Sequence, residues 1–168
     1  MHTRLATLGL IALLPAAPAL AQEHGGAGHS AQATAGHDTA FTNLQERGRI
    51  LMGVDQYTSR HRFEPLADGG RIELQRIEDD SAGTATIRTH LRQIAAAFRD
   101  GDFTTPALVH MREVPGAAVM TERREMISYE YRDLPRGGEL RIRSADARAI
   151  GAVHAFLAFQ RQDHRAGH

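Results

Sequence analysis

Histidine is the residue type through which this chain is equipped to do chemistry. Its 168 residues include ten histidines and no cysteine. A neutral imidazole nitrogen binds copper, zinc and nickel well. The absence of cysteine excludes thiol nucleophiles, cysteine-type zinc sites, iron–sulfur clusters and c-type haem attachment. The composition therefore favours a protein that binds a transition metal through histidine.

Three histidines in the second half of the chain are the first candidates for ligands. His90 and His154 fall at the margins of the apolar faces of two predicted helices, so helices packed side by side would bring both imidazoles to one site. His110 follows a short apolar run that is compatible with a strand or an extended loop. We expect these three histidines to bind the metal, with Met111 or Met120 as a soft fourth ligand.

Two further histidines belong to the candidate set. His61 opens a predicted strand, and His164 continues the apolar stripe of the second helix. His164 comes ten residues after His154, about 15 Å along a helix axis, so these two cannot share one coordination shell. The chain has neither an H-E-x-x-H motif nor an H-x-H pair. Because a lone histidine beside an apolar face is more often packed than metal-bound, the structural role stays open for each.

Methionine sets the expected order of the metals. Met52, Met111, Met120 and Met126 add thioether groups to the histidines. A mixed histidine and methionine shell suits copper, above all Cu(I), better than zinc, although methionine is also ordinary core filler. We therefore expect copper first and zinc second, for storage, delivery or resistance.

Two other functions remain open, and catalysis is not expected. A protein–protein interaction module would use an exposed sheet face or the side of Phe156 and Phe159. Haem binding would use His90 and His154 as axial ligands, in a slot left by the alanines at 95–97. The serines lack a G-x-S-x-G context, and no helix directly follows the Gly-Gly pairs, so neither a nucleophile nor a phosphate loop is indicated.

Paired glycines mark two predicted β-hairpins, and an amphipathic helix pattern follows each hairpin. The repeated order of strand, strand and helix predicts an α+β domain, in which a duplicated ββα unit forms an antiparallel sheet with two helices on one face. The copies span about 58–103 and 124–165. The predicted strands are residues 61–66 and 71–77 around Gly69-Gly70, and residues 127–134 and 139–143 around Gly137-Gly138.

Capping residues predict where the two helices begin. Thr84 or a neighbour is expected to cap the first helix, which runs to about Phe98 before Asp100-Gly101. Ser144 or Asp146 is expected to cap the second.

The N-terminal region has the pattern of an exported protein. Residues 1–21 combine an arginine, a short apolar run and the small-residue cleavage signal Ala19-Leu20-Ala21, which together predict a secretory signal peptide. We expect a disordered Gly/Ala/His-rich tail at 22–40, one domain at 41–168, and a periplasmic or secreted location. Three histidines of the tail are either loose metal collectors or incidental: His24, His29 and His37.

The charge balance restricts the partners. Lysine and arginine together number 20, as do aspartate and glutamate. This gives no electrostatic reason to expect nucleic acid or an anionic membrane as partner. No stretch after the predicted signal is long and apolar enough to span a bilayer. The expected partners are a metal ion and, as the alternative, a periplasmic protein.

Four segments resemble those of a group of small, largely uncharacterised bacterial proteins. They are M-G-V-D-Q from Met52, H-L-R-Q-I-A-A-A-F-R-D-G-D-F from His90, V-H at Val109 and His110, and V-H-A-F-L-A-F-Q-R-Q-D-H-R from Val153. The resemblance covers the chain from Met52 to its C-terminus. It implies a shared compact domain and no particular activity, and it points to His90, His110, His154 and His164.

Overall fold

Two glycine-turn hairpins join into one antiparallel sheet, which confirms the predicted α+β class. The computed structural model describes residues 28–166, with side chains from residue 39 onward, so the predicted signal peptide lies outside the described residues. The elements are α1 (Gly28–Met52), β1 (Ser59–Leu66), β2 (Gly69–Arg76), α2 (Ser81–Arg99), α3 (Thr104–His110), α4 (Ala117–Glu122), a 3-10 turn (Arg124–Met126), β3 (Ile127–Leu134), β4 (Gly137–Ser144) and α5 (Ala147–Asp163).

The two hairpins are related by a pseudo-twofold axis through the centre of the sheet. The strand order is β1-β2-β4-β3, so the second strands of the two hairpins pair with each other. In this central pairing Gly70 lies opposite Ile142, and Leu74 lies opposite Gly138. In both halves, therefore, the second glycine of the Gly-Gly pair lies opposite an aliphatic residue of the other hairpin.

Each long helix packs mainly on the hairpin of the other half. Helix α5 contacts β1 and β2, whereas α2 contacts β3 and β4. A Cβ on Gly70 would overlap the Leu157 side chain of α5, and a Cβ on Gly138 would lie 3.1 Å from Leu91 of α2. Since Gly70 and Gly138 lie on the same side of the sheet, both helices cover one face, as predicted. The two halves are thereby interlocked around a shared core.

Aspartate residues cap both long helices. Asp80 accepts a hydrogen bond from the Gly83 backbone N–H, so α2 begins earlier than the predicted cap at Thr84. Asp146, one of the two predicted caps, accepts from the Ala149 N–H at the start of α5.

The segment before His110 is helical, so the prediction of a strand or extended loop was wrong. Asp102 accepts a hydrogen bond from the Thr104 backbone N–H at 2.8 Å. Pro106 then falls in the first turn of α3, where it removes no intrahelical hydrogen bond. A short apolar run carries no period of its own, so the sequence pattern does not distinguish a helix from a strand here.

Helix α1 also differs from the prediction. It covers residues 28–40, which the sequence assigns to a disordered tail. Four alanines lie between residues 31 and 40, and alanine has the highest helix propensity. The helix ends at Met52, where Gly53 adopts a left-handed conformation with φ of 66°.

The face of the sheet opposite the two long helices is charged. Arg71 pairs with Glu64 at 2.6 Å and Arg132 pairs with Glu139 at 2.8 Å, in each case across neighbouring strands. These cross-strand pairs suit a sheet that meets water on one side. None of the helices between residues 28 and 166 is long and apolar enough to cross a membrane.

Glycine at position 70 is required by the close approach of α5. We expect Gly70→Ala to lower the free energy of unfolding by about 2–3 kcal/mol, because the added methyl group must displace Leu157 and would lie 2.8 Å from the Glu64 carbonyl oxygen. Urea unfolding followed by circular dichroism measures the change.

The control is a glycine of α5, the helix that covers Gly70, with open space around it. A Cβ on Gly151 meets nothing within 4 Å, so Gly151→Ala should raise stability by about 0.5–1 kcal/mol. Equal effects of the two substitutions would contradict the proposed packing constraint at Gly70.

Candidate metal centre

One small cavity inside the domain is lined by four histidines: His61, His90, His110 and His164. Its volume is about 60 Å³, which is room for a few water molecules or for one ion among its ligands. The other lining residues are mostly apolar and include no aspartate or glutamate. They are Met52, Phe63, Ile72, Leu74, Leu91, Ile94, Phe98, Thr105, Pro106, Val109, Phe156 and Gln160.

Four different elements bring these histidines together. His61 shares the inward face of β1 with Phe63, because alternate residues of a strand face the same side. His90 lies on the buried stripe of α2. His110 is the last residue of α3, and His164 caps the C-terminus of α5. The site therefore depends on tertiary packing rather than on a local motif.

A hydrogen-bond chain fixes the tautomer of His61. The Ser59 hydroxyl donates to the Asp55 carbonyl oxygen. The Ser59 oxygen can then accept from His61 Nε2–H, at 2.9 Å. Nδ1 of His61 keeps its lone pair in this arrangement. Burial lowers the pKa of His61 to about 4, so its ring is uncharged at neutral pH.

Burial also keeps two neighbouring imidazoles uncharged. It lowers the pKa of His90 to about 4. The pKa of His164 lies well below its usual 6.5, mainly because of burial and also because of the nearby His61 and His110. Nδ1 of His164 is buried and has no hydrogen-bond partner within the described part of the chain. Three neutral imidazoles thus line one cavity, and one of them has an unpaired nitrogen.

The spacing of two ring pairs matches that of imidazoles around a single metal ion. The His164 ring centroid lies 5.5 Å from that of His61 and 5.1 Å from that of His110. With metal–nitrogen distances of about 2.0 Å, two imidazoles on a tetrahedral ion have centroids about 5 Å apart. Among residues 39–166, however, no three histidine, aspartate or glutamate side chains already converge on one point. Metal binding would therefore require these side chains to move.

His110 is engaged at both ring nitrogens. Nδ1–H donates to Asp163 Oδ2 at 2.7 Å, and Nε2 lies 3.0 Å from Gln160 Oε1. Arg112 also pairs with Asp163, and the Phe159 ring centroid lies 4.7 Å from that of His110. The amide nitrogen of Gln160 is buried without a partner in the described region. Turning the Gln160 amide over would let that N–H donate to the Nε2 lone pair of His110, which an amide oxygen cannot do.

The structure separates His154 from the other predicted ligands. Its Nε2 lies 2.9 Å from the Leu66 carbonyl oxygen at the end of β1, and it does not line the cavity. The pseudo-twofold explains this position. Arg88 of α2 donates to the carbonyl oxygen of Leu134, the residue equivalent to Leu66, at 2.7 Å. His154 and Arg88 each tie a helix to the end of the opposite hairpin.

The predicted soft ligands also lie away from the cavity. Met111 is 69 % exposed, and Met120 is fully buried in the core without lining the cavity. The methionine that borders the cavity is Met52. Because His90 and His154 do not share a cavity, the haem alternative loses the paired axial ligands on which it was based.

The aromatic side chains proposed for a protein interface are not an exposed patch. Phe156 is 2 % exposed and belongs to the core. Phe159 packs between His110 and Arg112, whose guanidinium carbon lies 4.6 Å from the ring centroid. This side of α5 serves to hold the histidine cavity.

Sequence reasoning missed Gln160 and Asp163. A signal for Gln160 is present, since it interrupts the apolar stripe of α5 one turn before His164. Asp163 has no such signal, because its partner His110 is remote in the sequence. No protein-family model, curated protein or solved structure matches this chain, so the function is argued from the site itself.

Buried neutral histidines should make the metal-free protein sensitive to mild acid. In the unfolded chain a histidine has a pKa of about 6.5, whereas burial lowers that of His90 to about 4. Between these values the unfolded state binds a proton that the folded state does not. Stability is therefore full above pH 6.5 and falls as the pH drops toward 4. At pH 5 the loss caused by His90 should be about 2 kcal/mol.

The measurement is urea unfolding of metal-free protein at pH 7.5 and pH 5, for the wild type and His90→Leu. The leucine variant should lose about 2 kcal/mol less between these two pH values. His61 faces His90 and has a similarly lowered pKa, so part of the acid sensitivity should remain. An unchanged pH dependence in His90→Leu would show that His90 is protonated in the folded state.

Proposed function

We propose that this protein binds one transition-metal ion, copper before zinc, in the histidine-lined cavity. His61, His90 and His164 are the proposed ligands. The proposed role is storage, delivery or resistance in an exported protein, without bond-making chemistry. The observation that carries the proposal is that three buried, neutral imidazoles line one cavity, while Nδ1 of His164 has no partner among the described residues.

The second half of the domain offers an internal comparison. By the pseudo-twofold, His61 and His164 correspond to Tyr129 and Phe98. Those two rings pack edge to face with centroids 6.0 Å apart. The corresponding centroids of His61 and His164 are 5.5 Å apart. The same helix–strand contact thus forms from two aromatic rings without a histidine. Packing alone does not require imidazoles at positions 61 and 164.

The free-energy cost of the unpaired His164 nitrogen also favours a bound metal ion. A buried polar atom without a partner costs about 1–3 kcal/mol, and His164 Nδ1 is such an atom. A metal ion would take up the imidazole lone pairs and offset this cost. A histidine retained only for packing could be replaced by phenylalanine, as position 98 illustrates in the other half.

The donor atoms favour copper over zinc. Imidazole nitrogen suits both metals, but Met52 also lines the cavity and no carboxylate does. Thioether sulfur is a soft ligand that selects Cu(I). Zinc sites more often combine nitrogen with thiolate or carboxylate.

The test is a metal titration of the full chain carrying alanine in place of His24, His29 and His37, so that the N-terminal histidines do not bind. Isothermal titration with Zn(II) and competition with a chromogenic chelator for Cu(I) measure the affinities. We expect one tight site per chain. His61→Ala and His164→Ala should each weaken it by about a hundredfold or more, because a lost ligand should cost at least as much as a lost outer-shell partner.

The matched control is His154→Ala, which removes a half-buried helix histidine that does not line the cavity. It should leave metal affinity unchanged even if it lowers stability. Circular dichroism of each variant checks that the domain is folded. Absence of a tight site in the parent chain, or an equal loss of affinity in His154→Ala, would refute the proposal.

A further inference from the structure

The geometry points to a cavity that selects monovalent copper, with Gln160 as the specificity-determining residue that keeps His110 out of the coordination shell. This inference rests on the proposed function, since it concerns the same cavity. It goes further by naming the ion's charge and the side chain that enforces the choice.

The charge of the lining is the first argument. No aspartate or glutamate lines the cavity, and its three proposed ligands are neutral donors. An ion bound there would keep its full charge in a largely apolar surrounding. The cost of burying an ion in a low-dielectric medium rises steeply with its charge. A monovalent ion is therefore much less penalised than Zn(II) or Cu(II).

The number of available ligands is the second argument. With both nitrogens of His110 engaged by Asp163 and Gln160, three imidazoles remain for the metal. Monovalent copper is stable with about two or three soft or borderline ligands. Structural zinc sites almost always have four ligands. As long as Gln160 holds His110, the cavity lacks the fourth protein ligand of a closed structural zinc site.

The position of Gln160 fits this role. It lies one helical turn before His164 on α5 and is 5 % exposed. Its side-chain amide lies 3.0 Å from His110 Nε2, where an amide N–H can donate to the nitrogen lone pair that a metal ion would otherwise use. Its contact with His110 is the feature that distinguishes it from an apolar residue, such as Ile94 at the equivalent position of α2.

His110 is otherwise prepared to act as a ligand. Asp163 accepts from its Nδ1–H, which is the carboxylate–histidine arrangement that orients metal-binding imidazoles. The ring centroid of His110 already lies 5.1 Å from that of His164. Removing the Gln160 amide would leave Nε2 of His110 free for an ion in the cavity. The structure thus contains a fourth ligand that one side chain holds back.

The experiment compares Zn(II) and Cu(I) affinities of the full chain and of Gln160→Leu, with the N-terminal histidines replaced as before. The leucine variant should bind Zn(II) about tenfold or more tighter, because His110 becomes available, and should bind Cu(I) with nearly unchanged affinity. Adding His110→Ala to Gln160→Leu should abolish the gain in Zn(II) affinity. Gln162→Leu, an exposed position of the same helix, is the matched control and should change neither affinity.

A second variant keeps the test valid if leucine disturbs folding. Gln160→Glu preserves the shape of the side chain and adds a negative charge, so it should also shift the preference toward Zn(II). A wild type that binds neither ion would refute the proposed function itself. A wild type that binds Cu(I) but whose preference is unchanged in both folded variants would overturn only the role of Gln160. A wild type that binds Zn(II) as tightly as Cu(I) would overturn the selection of monovalent copper.

Discussion

The close approach of α5 to the first hairpin is the contact on which the histidine cavity depends. Leu157 sits directly over Gly70, where a Cβ would overlap its side chain. Two turns further along α5, His164 stacks on Phe63 with ring centroids 5.5 Å apart and comes beside His61. A glycine in the sheet thus determines how closely the end of α5 approaches β1. A larger residue at position 70 would lift the helix and separate the two imidazoles.

The pseudo-twofold shows how one fold supports two different interiors. In the second half the equivalent approach brings Phe98 to Tyr129 and closes the core with aromatic rings. In the first half, histidines occupy the same positions and border a cavity. Helix α3 and the end of α1, which have no counterpart in the duplicated unit, add His110 and Met52 to that cavity. The site therefore lies where the repeat is broken.

The sequence predicts the repeated unit well because its signals are local. Gly-Gly turns, alternating strand residues and helix stripes each depend on neighbours in the chain, and they place the hairpins and long helices near their observed bounds. These local signals do not predict which histidines come together in the site. Side-by-side packing of α2 and α5 predicted that His90 would meet His154. Each helix instead lies on the opposite hairpin, where Leu91 and Leu157 occupy equivalent positions, so His90 corresponds to Phe156. No periodicity reports which hairpin a helix will cover.

Desolvation links the properties of this cavity. Burial disfavours the charged form of an imidazole, so His61, His90 and His164 remain unprotonated and keep the lone pairs that a metal needs. The same desolvation disfavours a highly charged metal ion, because the lining contains no carboxylate to balance the ion's charge. The carboxylate of Asp163 pairs with His110 and with Arg112 and does not line the cavity. This cavity offers unprotonated nitrogen donors but no negative charge, which suits a soft ion of low charge. Monovalent copper is therefore the ion that we rank first.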